Sequence, residues 1–325
     1  MHRQFAYRVI GVALWLIIAC TGREPGPVAP APNAPGSPPG LLFVWENTDP
    51  LPERRIRALS LNASGYVIAG GESGYSYRSK KNGEEWKRIP LAERPITAFA
   101  LAPNDYLYAG TDGEGVFISR DNALSWAPTA LQGKRVQALL ARRDGSLWAA
   151  TGDGVFVSPD EGNSWVPLNA GLSHPGGVQV LGEGRGGSLW AGTIKGMYRL
   201  GPGETSWEAA GLESLACLDM ALAHDSSLWV ATENGVFRSL TGGDPWERIV
   251  GRLPYRRIAG LAAGPPPWMF AATSGGVFYL ADVDRGWRAA GPEDTSIQIL
   301  LYHPKDRFLY AVSGKVLYRM NIHSP

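Results

Sequence analysis

Seven tryptophans recur at positions 45, 86, 126, 165, 207, 246 and 287, spaced 39 to 42 residues apart. Self-similarity at a period near ~40 residues marks a chain built from supersecondary units, each too small to bury its own apolar face. The full units read alike. An apolar run comes first (Ile56-Arg57-Ala58-Leu59, Ile96-Thr97-Ala98-Phe99, Val136-Gln137-Ala138-Leu139). A polar turn leads to a second run (Leu147-Trp148-Ala149-Ala150-Thr151, Leu189-Trp190-Ala191-Gly192-Thr193, Leu228-Trp229-Val230-Ala231-Thr232). A glycine-containing hairpin then gives a third (Gly154-Val155-Phe156, Gly235-Val236-Phe237), and another turn delivers the tryptophan and an outer strand. The runs are short, rich in β-branched and aromatic residues, and broken by glycine about every ten residues, which excludes an α-solenoid of similar period. The expectation is an all-β, seven-bladed propeller of four-stranded blades.

The ends of the repeat array supply its closure. The last repeat, Ile297 to Met320, has three strands and no tryptophan after it, whereas Leu41 to Asp49 has Trp45 and no strands before it. Joining them makes a seventh blade from both ends of the chain and removes the open edges that would otherwise template aggregation.

Ahead of this body, Arg3 and Arg8 supply a positive start before an apolar run from Val9 to Ala19. Eleven residues are too few to span a hydrocarbon core of ~30 Å as a helix, so residues 1–19 read as an export leader. Ile17-Ile18-Ala19-Cys20 resembles a bacterial lipobox, which implies diacylation of Cys20 as the first mature residue. An uncleaved anchor or an ordinary leader are the alternatives, and each also takes the chain out of the cytoplasm. Residues 20–40 carry Pro25, Pro27, Pro30, Pro32, Pro35, Pro38 and Pro39. Such a segment forms no core and reads as an extended linker, leaving residues 41–325 as the propeller.

The formal charge of +1 becomes −1 once Arg3 and Arg8 leave with the leader. That balance lacks the broad positive field of a nucleic-acid binder, and no nucleic-acid partner is expected. With Cys20 accounted for, only Cys217 remains, so neither a disulfide framework nor a thiolate metal site can be built. Cys217 lies within Leu215-Ala216-Cys217-Leu218 and reads as a small buried hydrophobe.

The turns before the tryptophans carry a resemblance. Ser158-Pro159-Asp160-Glu161-Gly162-Asn163-Ser164-Trp165 matches the pattern Ser-x-Asp-x-Gly-x-Thr/Ser-Trp in full, and Ser119 to Trp126 matches it except at Ala123. Lys81 and Thr241 replace the aspartate before Trp86 and Trp246, and the turns before Trp207 and Trp287 are more degenerate. Over roughly residues 41–320 the chain thus resembles the Asp-box (bacterial neuraminidase repeat) propellers, which include sialidases, xyloglucan hydrolases, sortilin and a photosystem II assembly factor. In such a turn short Ser and Asp side chains bond nearby amides, glycine accepts positive φ, and the tryptophan is expected to staple the hairpin to its sheet. Asp121 and Asp160 are accordingly expected to be turn formers.

No catalytic constellation is legible. Arg88-Ile89-Pro90 has the letters of the sialidase arginine motif, yet it follows Trp86 in an outer strand instead of preceding the repeats. The xyloglucan hydrolases place carboxylates between two propellers, and the acids here are scattered among turns. His2, His174, His224, His303 and His323 show no metal-ligand spacing, no phosphate loop opens a helix, and no serine sits in a nucleophile elbow. No cofactor, metal or catalytic residue is therefore assigned.

A ligand would be expected at the channel mouth, where innermost strands start near Ile56, Ile96, Val136, Val178, Leu218, Ile258 and Ile297. Arg55, Arg94, Arg135 and Arg257 lie just before four of these starts, and Arg57, Thr97, Gln137, Gln179, Asp219 and Gln298 just after six. Converging arginines can fork onto carboxylate or phosphate oxygens, which points to an anionic peptide segment or sugar acid. The competing reading leaves these arginines solvated or paired with turn acids such as Asp153 and Glu233. The expected function is a non-catalytic extracytoplasmic binding or assembly scaffold for an envelope protein, held to a bacterial membrane through the lipid. The alternative is a glycan-binding or sialidase-type hydrolytic propeller, and a purely structural module ranks third.

Overall fold

A computed structural model describes residues 43–322 apart from 63, 81 and 252. The leader, Cys20, the linker, Lys81 and His323 lie outside the described residues. The described residues form seven four-stranded antiparallel sheets. Blades 1 to 6 comprise residues 56–90, 96–128, 136–167, 178–209, 217–249 and 260–291 in chain order. Blade 7 takes three strands from residues 299–321 and its outer strand, Trp45–Asn47, from the other end of the chain. Trp45 pairs with Met320 and Asn47 with Tyr318, as the closure argument required. Inner strands neighbour one another from blade to blade, and that of blade 7 meets that of blade 1.

Each blade is covered on both faces, and its second strand shows it. Val67–Gly71, Leu107–Thr111, Leu147–Thr151, Leu189–Thr193, Leu228–Thr232 and Met269–Thr273 are buried at every position. Two covered faces explain why these strands lack an apolar/polar alternation. The inter-blade spacing is set partly by small residues. A Cβ on Gly110 would stand 2.5 Å from Val136 Cγ1 at the start of the next inner strand, so only glycine permits that approach.

The turn into each outer strand is closed by side-chain oxygens. Ser158 Oγ accepts the Gly162 amide (2.8 Å), and Asp160 accepts both the amide (2.8 Å) and hydroxyl (2.6 Å) of Ser164. Ser119 and Asp121 repeat the arrangement around Ala123, which takes a φ of 60° where the matching turn has glycine. The Ser164 hydroxyl, then its amide, hold the Asp160 carboxyl below its ordinary range. At Asp121 burial pushes the other way, but bonds from Ser125, Ser119 and Leu124 prevail and the carboxyl is again lowered. Both aspartates are turn formers.

Five of the seven tryptophans direct the indole N–H to a neighbouring blade, and Trp126 also packs on Phe99 of its own sheet. Trp45 Nε1–H donates to the Ala290 carbonyl of blade 6 (2.7 Å), and Trp86 to the Asp49 carbonyl beside blade 7 (3.0 Å). Trp126 donates to Ser76 Oγ in blade 1, Trp207 to the Leu168 carbonyl after blade 3, and Trp246 to the Ala210 carbonyl after blade 4. Each bond runs backwards into the preceding blade. In these five repeats the indole is an inter-blade rivet, while the indole N–H groups of Trp165 and Trp287 have no hydrogen-bond partner among the described residues.

Candidate functional site

Antiparallel order sends the starts of the inner strands and the second–third hairpins to one face of the ring, termed here the mouth face. The first–second turns and third–outer turns occupy the opposite face. Threonines build the mouth hairpins. Thr111, Thr151, Thr193, Thr232 and Thr273 are buried, and each hydroxyl donates to the carbonyl of the glycine that opens the third strand. Each also accepts an amide of the hairpin tip, so the tips are held by the side chain that ends the second strand.

The recurring polar position of the inner strands has a local cause. Register shifts fall between Ile56 and Ala58, Ile96 and Ala98, Val136 and Ala138, Val178 and Val180, and Cys217 and Asp219. These are β-bulges, in which one extra residue opposes a single partner and its side chain is re-aimed. The extra residues are Arg57, Thr97, Gln137, Gln179 and Leu218. The fifth inner strand thus starts at Cys217, not Leu218, and Asp219 is a ladder residue outside the bulge series.

The structure separates the sequence-selected residues into three groups. Arg57 and Arg135 are neutralised, by Glu72 at 3.0 Å and Asp112 at 2.7 Å. The acids come from mouth hairpins, although Asp153 pairs with Lys134 instead of an arginine. The polar bulge residues, and Gln298 just before the inner strand of blade 7, bond backbone. Thr97 donates to Val136 (2.7 Å), Gln137 to Gly176 and Gln179 to Gly177 (both 3.4 Å), and Gln298 donates to Ser296 (2.6 Å) while accepting from Gly314 (2.7 Å). Arg55, Arg94 and Arg257 form the third group. Arg94 and Arg257 are exposed, Arg55 is partly so, and none has an ion-pair partner among the described residues. Arg54 and Arg256 are likewise exposed and unpaired there. Sequence reasoning passed over these two, although the doublets Arg54-Arg55 and Arg256-Arg257 were a usable signal.

Around the ring these cations precede the inner strands of blades 6, 1 and 2, an arc interrupted only by blade 7. Lone guanidiniums held at the ends of short loops are suited to bidentate capture of carboxylate or phosphate groups. Cys217 is fully buried, and burial pushes its thiol up to about 12, so it offers no nucleophile. Among the described residues no group of three or more His, Cys, Asp or Glu is placed to hold a metal ion.

Asp219 instead clips two inner strands together. Its carboxylate accepts the amide of Leu261 in blade 6 (2.8 Å) and of Met220 (2.9 Å). Burial raises its pKa to about 6, and these two bonds only partly oppose that. The folded state therefore binds the proton more tightly than the unfolded chain. The contribution of Asp219 to stability is then lost as pH rises from the ordinary carboxylate range through about 6, opposite in sign to the lowered carboxyls of Asp121 and Asp160, whose contributions are lost as pH falls. For Asp219 alone the loss is on the order of 2–3 kcal/mol and is complete above that window. Urea unfolding at pH 4 and pH 8 checks this, with Asp219→Asn expected to flatten the slope.

The opposite face carries two clefts. One, of about 300 Å³, lies between blades 5 and 6 and is lined mainly by Trp229, Pro266, Pro267, Trp268, Met269 and Leu280. The other, of about 420 Å³, lies between blades 4 and 5, with Arg185, Arg199, Leu222 and Leu240 in its wall. Asp225 borders both.

Comparison with known proteins bears on the fold. A family model described as the DUF6242 beta propeller domain matches residues 42–174. No curated protein matches the chain. Among solved structures, YCF48 bound to D1 peptide is similar with a TM-score of 0.71 at 18% identity, covering 86% of this chain and 97% of that one. A catalytically inactive virginiamycin B lyase from Staphylococcus aureus with Quinupristin gives 0.72 at 10% identity, covering 86% and 100%. The extracellular domain of a hybrid two component system from B. thetaiotaomicron gives 0.72 at 14% identity, covering 86% of this chain and 41% of that chain. At these identities the likeness is one of fold, shared by a peptide-bound protein, a lyase and an extracellular domain alike.

Proposed function

We propose that this chain is a non-catalytic extracytoplasmic scaffold that binds an acidic peptide segment of an envelope protein at the mouth face. The observation that carries the reading is the arc of exposed Arg94 and Arg257 and partly exposed Arg55, without ion-pair partners among the described residues. Elsewhere on the same face Arg57 and Arg135 have been matched with acids. The likeness to YCF48 bound to D1 peptide supports a protein segment as ligand. The glycan alternative receives less support, because no aromatic side chain among the described residues is exposed to serve as a sugar-stacking platform. In this reading Asp-box turns are scaffolding, and the mouth loops they leave free carry the ligand.

The same proposal places the body on a bacterial membrane through a diacylated Cys20. Phe43, the first described residue, packs on Trp268 at the face opposite the arginines. A tether arriving there presents the mouth away from the lipid. Cys20→Ser is expected to shift the protein from the membrane to the soluble fraction on envelope fractionation, and unchanged membrane recovery would refute lipid anchoring.

The binding claim is tested by crosslinking capture from the native envelope. Wild-type chain is compared with a variant carrying Arg55→Ala, Arg94→Ala and Arg257→Ala. A defined partner crosslinked through an acidic segment, and lost in the variant, is the expected outcome. A partner retained in full by the variant would refute the mouth as the site.

A further inference from the structure

The cleft between blades 4 and 5, on the face opposite the mouth, lacks acids that neighbouring blades carry. In blades 3 and 5 the turn between first and second strands reads Asp144-Gly145-Ser146 and Asp225-Ser226-Ser227, whereas blade 4 has Gly186-Gly187-Ser188. Asp144 and Asp225 accept the hydroxyl protons of Ser146 and Ser227, whose oxygens in turn accept the indole N–H of Trp148 and Trp229. Ser188 is 6% exposed and has no such acid beside it. Its oxygen accepts from the Arg199 guanidinium (3.2 Å), and its own proton has no acceptor among the described residues. The indole N–H of Trp190, at the place of Trp148 and Trp229, has no acceptor there either.

The arginine of this blade differs in the same direction. Arg199 pairs in register with Trp190 and Glu208, as Arg238 of blade 5 does with Trp229 and Glu247. Arg238 is neutralised by Glu247 at 2.7 Å, whereas Arg199 has no ion pair among the described residues. Exposed Arg185 adds a second guanidinium in the same condition. On the facing wall Thr241 stands where the matching turn of blade 3 has Asp160. Asp225 is the one acid among the described residues lining the cleft, and its carboxylate is engaged by the amide and hydroxyl of Ser227.

Two guanidiniums, a hydroxyl proton and an indole N–H thus line a cleft of about 420 Å³, a size ordinary for small-molecule sites. A carboxylate offers such a set two oxygens. A phosphate monoester offers three, with a charge of about −1.5 to −2 at neutral pH. Leu222 and Leu240, 41% and 67% exposed, add an apolar rim. We propose that this cleft binds a phosphate monoester carried on an apolar body, its oxygens taken by Arg185, Arg199 and Ser188 and its body by Leu222 and Leu240. The site goes beyond the binding proposed at the mouth and does not depend on it.

Calorimetric titration of the full chain with phenyl phosphate, at constant ionic strength, tests the site. One equivalent should bind saturably, and several-fold more tightly than inorganic phosphate. The double change Arg185→Gln and Arg199→Gln should weaken binding at least about tenfold, since a single charge-assisted bond is worth that factor. Thr241→Asp, which adds an acid to the wall and keeps both arginines, should weaken it several-fold, and unfolding midpoints establish that each variant is folded. Vesicles containing phosphatidic acid identify the source of the ester: displacement of phenyl phosphate makes it a lipid headgroup, and no displacement makes it a free molecule. Absence of saturable binding would overturn the proposal, as would full affinity in the folded double variant. Binding lost instead in the variant lacking Arg55, Arg94 and Arg257 would also overturn it, and would assign the ester to the mouth.

Discussion

Deleting Phe43 to Thr48 is expected to lower the unfolding midpoint by about 10 °C or more and to make the protein aggregate at concentrations where the intact chain does not. This short segment supplies the outer strand of blade 7, paired through Trp45, Glu46 and Asn47. It also brings the bond from Trp45 to Ala290, the contact of Phe43 with blade 6, and the Thr48 amide on Leu317 (3.0 Å). Partial burial of Phe43 and Trp45 contributes up to about 1.5–3 kcal/mol each, and each net hydrogen bond about 1 kcal/mol. The sum approaches the entire stability of an ordinary domain, and each kilocalorie moves the midpoint of a protein this size by about 2–4 °C. The aggregation has a separate cause. Without its partner, Val316–Asn321 becomes an unprotected edge strand. Calorimetry and light scattering on the two chains check both effects. A deletion that leaves the midpoint within about 2 °C would show that the ring does not depend on this closure.

The second large effect concerns the rivets between blades. Trp207 is 2% exposed, packs edge-on against Trp148 of blade 3 at 6.3 Å, and donates to the Leu168 carbonyl. Trp207→Ala is expected to cost about 3–5 kcal/mol, because the surrounding blades cannot collapse onto the void. Trp207→Phe keeps much of the volume but strands a carbonyl in a buried place, a cost of about 1–3 kcal/mol. Trp287 provides the contrast. It is as deeply buried, at 1%, yet its indole N–H has no hydrogen-bond partner among the described residues. Trp287→Phe should therefore cost less than Trp207→Phe. Denaturant unfolding of the two phenylalanine variants side by side checks the order, and the reverse order would mean that indole packing alone, and not the backward hydrogen bond, joins the blades.

Much of this architecture is legible in the sequence because the information is repetitive. One tryptophan per blade and three apolar runs between tryptophans suffice to count strands, and the orphaned Trp45 identifies the closing partner of Met320. The direction of the indole bonds was not legible, since a period shared by every blade cannot say whether each ring points home or to its neighbour. The bulges were half visible. Arg57, Thr97, Gln137 and Gln179 betray them as polar residues interrupting apolar strands, but in blade 5 the bulge residue is the apolar Leu218. Asp219 beside it imitated the pattern while serving as an inter-strand clip.

The candidate site was legible as a list and not as a charge balance. Arg55, Arg94, Arg135 and Arg257 stand one or two residues before inner strands, and nothing in their immediate neighbours shows which of them is neutralised. What divides them is whether a hairpin acid reaches across. Asp112, 23 positions before Arg135, belongs to the preceding blade and neutralises it. Glu114 in the same hairpin instead accepts the backbone amide of Arg94, at 2.6 Å, and leaves that guanidinium without an ion pair. Such choices depend on how loops of adjacent blades interleave, which single-repeat patterns do not encode.

The central claim, an arginine mouth that captures an acidic segment, is tested most directly by titrating the full chain with short acidic peptides at two salt concentrations. The wild-type protein should bind a subset of them, more weakly as salt rises because the contacts are between solvent-facing charges. The variant with Arg55, Arg94 and Arg257 changed to alanine should bind at least about tenfold more weakly, since loss of 1.4 kcal/mol already gives that factor. Equal affinities for the two proteins, insensitive to salt, would contradict the account and move the ligand to another face of the propeller.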